Sequence, residues 1–270
     1  MSTSRIITLT TDFGTQDQYV GAMKGVILGI APDVRVVDVT HEVPPQNVRE
    51  AAYILASIVP YFPEKTIHVV VVDPGVGTER RPLAVRTARA VYVVPDNGLL
   101  TPVLKYDPPE EIVHLNNPTY WLTRVSRTFH GRDIFAPVAA YIARGVPLHA
   151  LGTRLAAEDI VRLSWPEARV LPDGSIEGMV IHVDRFGNIV TNIPAEMLEG
   201  DPDRWVFRVG NQQLYGLKRT YGDVSVGEPL ALIGSNDTLE FSVREGNAAA
   251  YWHVQTGDPV RAWRESVAST

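Results

Sequence analysis

Ile6 to Thr11 is a β-branched run that stops at Asp12-Phe13-Gly14, after which Val20, Met23, Ile27 and Ile30 recur at helical spacing. The order reads as strand, loop, helix. Arg35 to Val39 repeats the strand pattern. Asn47, with Glu50 three residues later, is the signature of a capping box for a helix carrying Val48, Ala52, Leu55 and Val59, and Pro60 and Pro63 bracket its end. Ile67 to Val72 is apolar apart from His68, the pattern of a central strand covered on both faces, and it delivers Asp73 into Pro74-Gly75-Val76-Gly77-Thr78. Ala90 to Val94 is a further strand, closing on Pro95-Asp96-Asn97-Gly98. Asp133 to Arg144 places Ile134, Val138 and Tyr141 on an inward helical face, with Gly145 as its stop. Strands alternating with helices predict an α/β domain with a layered, mostly parallel sheet over residues 1–168.

After Trp165-Pro166 the pattern changes. From Arg169 the apolar segments are short and alternating, punctuated by Pro172-Asp173-Gly174, Phe186-Gly187-Asn188, Gly210-Asn211 and Gly246-Asn247, with no long helical stretch. Residues 169–270 are expected to form a smaller all-β domain, antiparallel and barrel-like. No repeat or low-complexity tract interrupts either part.

Composition narrows the function classes. A chain of 270 residues with 45% apolar content can bury one large core or two smaller ones. A formal charge of −6 provides no broad footprint for nucleic acid, though a local basic patch stays open. The absence of cysteine excludes disulfides, thiolate metal sites and cysteine nucleophiles. No run approaches the roughly 20 apolar residues of a membrane span. The start, Met1 to Ile6, lacks a signal-peptide plan, so a soluble, cytoplasmic protein without a membrane partner is expected. His41, His68, His114, His149, His182 and His253 show no ligand spacing, so no metal is expected. No Gly-x-Ser-x-Gly elbow occurs, which disfavours covalent hydrolysis through serine.

Candidate chemistry sits at the carboxyl ends of strands, where open α/β sheets bind ligands. Asp12 offers two acceptor oxygens, suited either to a ribose diol or to capping the following helix. In the loop from Asp73 to Thr78 two glycines let backbone approach a ligand, yet the loop lacks the lysine and hydroxyl of a phosphate loop and fails the dinucleotide fingerprint. A structural turn is the alternative. His130-Gly131-Arg132-Asp133 precedes a helix, with Asp133 as cap or first-turn acid and His130 as either a structural donor or a catalyst.

Taken together, Thr11-Asp12-Phe13-Gly14, the Asp73 to Thr78 loop, Phe129-His130-Gly131-Arg132-Asp133, Phe186-Gly187-Asn188 and Gly246-Asn247-Ala248-Ala249 resemble the SAM hydroxide adenosyltransferase family, related to fluorinase and chlorinase. The motifs come in family order from residue 11 to residue 249, and the set is far more specific than any member. The resemblance implies an α/β domain followed by a β-rich domain, and a homotrimer with active sites between neighbouring subunits. It implies cleavage of S-adenosyl-L-methionine to adenosine and L-methionine by water attacking C5′, the ligand being substrate and no cofactor being needed. Asp73, Arg80 and His130 match the family's catalytic group, with Arg81 the competing arginine.

The same resemblance implies that Asp12 holds the ribose, that Asn188 and the Ala248 backbone meet adenine, and that Phe186 packs on the ligand. It sets Asp184, Ser235 and Glu240 at the methionine end. Gln46 and Asn236 depart from the fluorinase, which has tryptophan and arginine there. Asp73 and His130 stand where the fluorinase has tyrosines, and Gly131 where it has a halide-contacting serine. A carboxylate beside the nucleophile repels halide and assists water. The alternatives are a halide-dependent adenosyltransferase and a non-catalytic adenosine or S-adenosylmethionine binding protein.

Overall fold

A computed structural model describes residues 5–265, so the reading of the first residues, Met1 to Ser4, lies outside the described residues. The chain divides into two compact units, the first ending at Ser164 and the second beginning at Trp165. The sequence pattern had put the boundary four residues later, at the first strand of the second unit.

The first unit is built on a seven-stranded sheet of β1 (Ile6–Thr11), β2 (Arg35–Thr40), β3 (Thr66–Val71), β4 (Pro82–Thr87), β5 (Ala90–Pro95), β6 (Pro109–His114) and β7 (Thr153–Leu155), in the order β2-β1-β3-β5-β4-β6-β7. β1 pairs in parallel with β2 and β3, and β3 with β5, whereas β4 is antiparallel to β5 and β6, and β6 to β7. The sheet is therefore mixed in its pairings, although only β4 and β7 run against the rest. Around it lie α1 (Tyr19–Ile30), α2 (Val48–Ile58), α3 (Thr101–Tyr106) and α4 (Ala136–Ala143). Val20, Met23 and Ile27 are the buried residues of α1, as their spacing predicts, and Met23 and Ile27 join Ile7, Leu9, Ile67, Val69 and Phe135 in one apolar core.

Three local expectations are refined. Asn47 caps α2 by accepting from Glu50 N at 3.0 Å, which is the Asn47 half of the capping box, while its own N–H donates to Pro44 O at 3.0 Å. The helix read from Asp133 opens two residues earlier, as a π-helical stretch, Gly131–Phe135, that runs into α4. Within α4 it is Ile142 rather than Tyr141 that is buried, and the Tyr141 ring meets Tyr120 edge-on at 5.1 Å.

The second unit is a nearly closed, barrel-like sheet of β8 (Arg169–Val170), β9 (Ile176–Val183), β10 (Ile189–Pro194), β11 (Trp205–Val209), β12 (Gln212–Tyr215), β13 (Leu217–Lys218), β14 (Pro229–Ile233), β15 (Thr238–Val243) and β16 (Pro259–Arg264). Its order is β12-β11-β16-β9-β10-β15-β14-β13 with β8 on β9, and its pairings are antiparallel except β13 with β14. Phe207, Phe241 and Trp252 meet edge-to-face at its core, the last from the short helix α5 (Ala248–Trp252). No helix of the described residues is long and apolar enough to cross a membrane.

His68 is fully buried on β3, its Nδ1 2.8 Å from Thr8 Oγ1 and its ring stacked on Tyr92. Burial, aided by the nearby Arg89 charge, pulls its pKa down to about 4. The unfolded chain takes up a proton near pH 6.5 and the folded chain does not, so stability is lost as pH falls from about 6.5 through about 4, by about 3 kcal/mol from this residue. Urea titrations of the wild type and His68→Gln across that window should diverge, the variant showing the shallower pH dependence; parallel profiles would contradict this.

Candidate active site

β3 is buried at every position, and its chain direction carries the next residues out of the sheet with Asp73 facing a cavity. The following turn closes through Val76 N to Asp73 O at 3.1 Å and Thr78 N to Gly75 O at 3.2 Å, which brings Arg80 back over the strand end. Both glycines are needed. A Cβ on Gly75 would press on the Arg80 side chain at 3.2 Å, and Gly77, at φ 77°, lies so close to Arg127 O that a Cβ would be 2.4 Å from it.

Arg80 donates to Asp73 through Nε, 3.0 Å from Oδ1, and through Nη2 to Oδ2. The pair is nearly dry, the two side chains being 6% and 5% exposed. Nη2 also lies 3.1 Å from His130 Nδ1. A guanidinium only donates, so His130 Nδ1 accepts, and the ring is neutral with its proton on Nε2. Burial and the Arg80 charge hold the His130 pKa below the ordinary imidazole value against the pull of Asp73. Burial raises the Asp73 carboxyl above its ordinary value, with Arg80 opposing. Arg81 points elsewhere, bonding Asp96 Oδ2 at 2.6 and 2.9 Å. Of the two arginines, Arg80 therefore meets Asp73.

His130 is set by the segment before α4. Asp133, fully buried, accepts from Ser126 N at 2.8 Å and from Arg132 Nε at 2.6 Å, and Ser126 Oγ accepts from Phe129 N at 3.0 Å. Asp133 is thus the first-turn acid and not the cap; His130 occupies the cap position without a side-chain bond. Burial alone would raise the Asp133 pKa, but Arg132 and Ser126 outweigh it and the carboxyl lies below its ordinary value.

Asp12 is not a cap either, since α1 starts after Gln18. Its Oδ2 accepts from Gln46 N at 2.8 Å, and Gln46 itself adopts the left-handed φ of 64°. Beneath the loop, His41 O accepts from Gly14 N at 2.8 Å and His41 Nδ1 lies 2.8 Å from Thr11 Oγ1. Asp12, Gln46, Asp73 and His130 line one cavity of about 390 Å³ together with Phe13, Phe129 and Tyr19, whose rings meet at 5.1 to 5.8 Å. The sequence singled out neither Tyr19 nor the ring cluster; an aromatic in the first turn of an amphipathic helix carries no signal of its own.

In the second unit, Asp184 folds the turn onto itself. Its Oδ1 accepts from Phe186 N and Asn188 N at 2.9 and 2.8 Å, and its Oδ2 from Asn188 Nδ2 at 2.9 Å. That leaves Phe186 75% exposed. Gly187 O accepts from Ala249 N at 3.0 Å, fastening the turn to the start of α5, where Ala248 is buried and Asn247 caps. Glu240 is buried and accepts from Tyr221 OH at 2.7 Å and Ser242 Oγ at 2.9 Å. Burial, Glu240 and Asp184 push the Tyr221 pKa up to about 12, so the phenol remains a donor. Ser235 lies exposed in the turn between β14 and β15. Tyr221 is a further polar group that its sequence setting did not reveal. Among the described residues no group of three or more metal-ligating side chains occurs.

An α/β unit that buries an acid, an arginine and a neutral histidine at its strand ends, followed by a barrel-like unit with self-braced polar turns, defines a class of small-molecule site proteins rather than a scaffold. Residues 7–152 match the SAM hydroxide adenosyltransferase N-terminal domain and residues 178–261 the C-terminal domain, and the chain belongs to that family. It is 40% identical over 265 residues to a Thermus thermophilus protein named (R)-S-adenosyl-L-methionine hydrolase, covering 95% of this chain and 99% of that one. An Actinopolyspora mzabensis fluorinase is more distant, at 31% over 296 residues, covering 96% and 97%. The crystal structure of an uncharacterized conserved protein from Thermotoga maritima superimposes with a TM-score of 0.88 at 38% identity, covering 96% of this chain and all of that one.

The turn at Gly187 offers a sharp structural test. Its φ is 86°, and an added Cβ would lie 2.1 Å from the Asn247 side chain that caps α5. Gly187→Ala is expected to destabilise the protein by at least about 1–3 kcal/mol in urea unfolding, and a loss of under about 0.5 kcal/mol would show that the turn relaxes freely.

Proposed function

We propose that this chain hydrolyses S-adenosyl-L-methionine to adenosine and L-methionine by direct attack of water on C5′. The reading is carried by one observation: a single guanidinium clamps the Asp73 carboxylate and, through Nδ1, holds His130 neutral. Family membership and 40% identity to a named hydrolase over nearly the whole chain support it.

The sulfonium departs as a neutral thioether, so the leaving group needs no acid. The nucleophile does need help. Asp73 accepts a proton from the water, Arg80 fixes the carboxylate, and His130 Nε2–H, directed by its tautomer, orients the same water. Alignment contributes up to about 7–11 kcal/mol and proton acceptance about 10²- to 10⁴-fold in rate. A buried anion at this position disfavours a second anion, which argues against fluoride or chloride as nucleophile.

Asp12 receives the ribose diol, with Gln46 N–H holding its carboxylate in place. Asn188 and the Ala248 backbone meet adenine and Phe186 covers it, while Asp184, Ser235 and Glu240 serve the methionine end. Asp184 acts there largely through the turn it braces. The reaction requires no cofactor or metal. A cytoplasmic homotrimer, with sites between neighbouring subunits, completes the reading.

Asp73→Asn is expected to lower adenosine release at least about 10²-fold while calorimetric binding of adenosine persists; unchanged turnover would overturn the mechanism. In oxygen-labelled water, both sulfonium epimers being tried, label should enter the adenosine 5′-hydroxyl, and product beyond enzyme concentration separates catalysis from mere binding. Chromatography with added chloride or fluoride should show no halogenated nucleoside. Activity needs ionised Asp73 and neutral His130, so it should fall toward acid, with the limb lying above the carboxylate's ordinary 3.8 because burial raises Asp73.

A further inference from the structure

The second unit carries a polar constellation that shares no residue with the site above. On β11 the alternation turns Arg208 outward while Phe207 and Val209 are buried, on β16 half-buried Arg261 and Trp263 alternate with buried Val260 and Ala262, and Arg264 is exposed at the strand end. Strand register then sets four side chains in a row across the sheet: Arg169 opposite Glu177, Glu177 opposite Arg261, and Arg261 opposite Arg208. Two arginines have acidic partners, Arg169 bonding Glu177 at 2.7 Å and Arg261 reaching Asp173 and, at 3.0 Å, Ser175 Oγ. Arg208 faces Arg261 directly, and like charges so placed on neighbouring strands cost stability.

Arg208 and Arg264 have no carboxylate partner among the described residues, yet both are held in place. The Arg208 guanidinium lies over Trp263 at 5.6 Å, and that of Arg264 over Trp205 at 5.1 Å while donating to Glu199 O. Gly200, at φ 91°, makes the room: a Cβ there would sit 2.9 Å from Arg264 Nη2. Arg208, Arg261 and Arg264 border a cavity of about 580 Å³, within the range of small-ligand sites. A local positive excess in a chain of net charge −6 is opposite to the background.

We propose that this cavity binds a small phosphate-bearing ligand, with Arg208 and Arg264 as its direct partners and Arg261 supporting. Guanidinium forks match pairs of phosphate oxygens. The ring faces that already hold these forks reduce the ordering cost of binding. An anion between Arg208 and Arg261 also removes their repulsion. The ligand is either free inorganic phosphate or pyrophosphate, or a phosphomonoester such as a nucleoside monophosphate, which share this chemistry. The site is independent of the hydrolase reading, and its test needs no turnover.

Calorimetry and thermal shift on the full chain, with inorganic phosphate, pyrophosphate and AMP as probes, decide it. At least one probe should bind saturably and raise Tm, with affinity falling as salt rises. Arg208→Ala with Arg264→Ala should weaken it at least tenfold, while Arg169→Ala, which lies outside the cavity lining, leaves it unchanged. Tighter AMP than pyrophosphate identifies a phosphomonoester ligand, and the reverse a free phosphate. Arg208→Ala alone removes the like-charge pair and should fold with a low-salt Tm at or above wild type, so it carries the affinity test if the double variant does not fold. Absence of saturable binding by all three probes at millimolar concentration, or equal affinity in wild type and the Arg208 variant, would overturn the proposal.

Discussion

A carboxylate and a guanidinium buried side by side at the end of β3 set the terms for the rest of the first unit. Removing each charge from water costs several kcal/mol, which only close pairing and further hydrogen bonds offset. Asp73 and Arg80 meet that condition through a two-point contact, and Arg80 also lies over the Phe135 ring at 5.4 Å. The six residues between them must make a tight return, which is why glycine stands where a Cβ would strike Arg80 or Arg127. Because the same Nη2 meets His130, the imidazole's protonation state follows from the ion pair rather than from solvent pH alone.

His130 is in turn braced from the core side. The π-helical stretch after it lets Asp133 turn inward and fasten residues 126–129, an arrangement a regular helix start would not provide. Gly131 sits where a Cβ would press on Met23, Phe129 and Phe13 at 3.3 to 3.4 Å. Core packing, the aromatic wall of the cavity and the imidazole position are thus one mechanical problem. A larger residue at Gly131 would displace the histidine's neighbours as well as occupy the cavity.

The sequence disclosed those parts whose physics is local. β1 was legible as a β-branched run, β3 and β5 because buried central strands read as near-continuous apolar runs, and α1 because three of its apolar positions share a face. β4 and β6 were not, since Arg86 and the pair Glu110 and Glu111 break the pattern; Arg86 and Glu111 pair across the two strands, which no single segment reveals. Asp73, Arg80 and His130 were each ambiguous by spacing and became a group only through the ordered motifs. The choice of Arg80 over Arg81 waits on three dimensions, because adjacent residues near a strand start point to opposite sides, one to Asp73 and the other to Asp96. Tyr19 and Tyr221 were missed because ordinary aromatic positions acquire their setting only from the fold.

The two units solve the problem of presenting polar groups in different ways. In the first, charges are buried and balanced against one another, so their reactivity is set by burial and pairing. In the second, the candidate contacts already have hydrogen-bond partners of their own: Asp184, in the turn after β9, is occupied by Phe186 and Asn188, and Glu240, on β15, by Tyr221 and Ser242. Groups so held give up little conformational freedom when a ligand arrives, which favours binding without altering the reacting atoms. The Tyr221 phenol, held as a donor with its pKa near 12, fixes the orientation of the Glu240 carboxyl. On the proposed hydrolysis, these two designs would respond to different substitutions: changes around Asp73 would act on kcat, and changes in the braced turns first on KM.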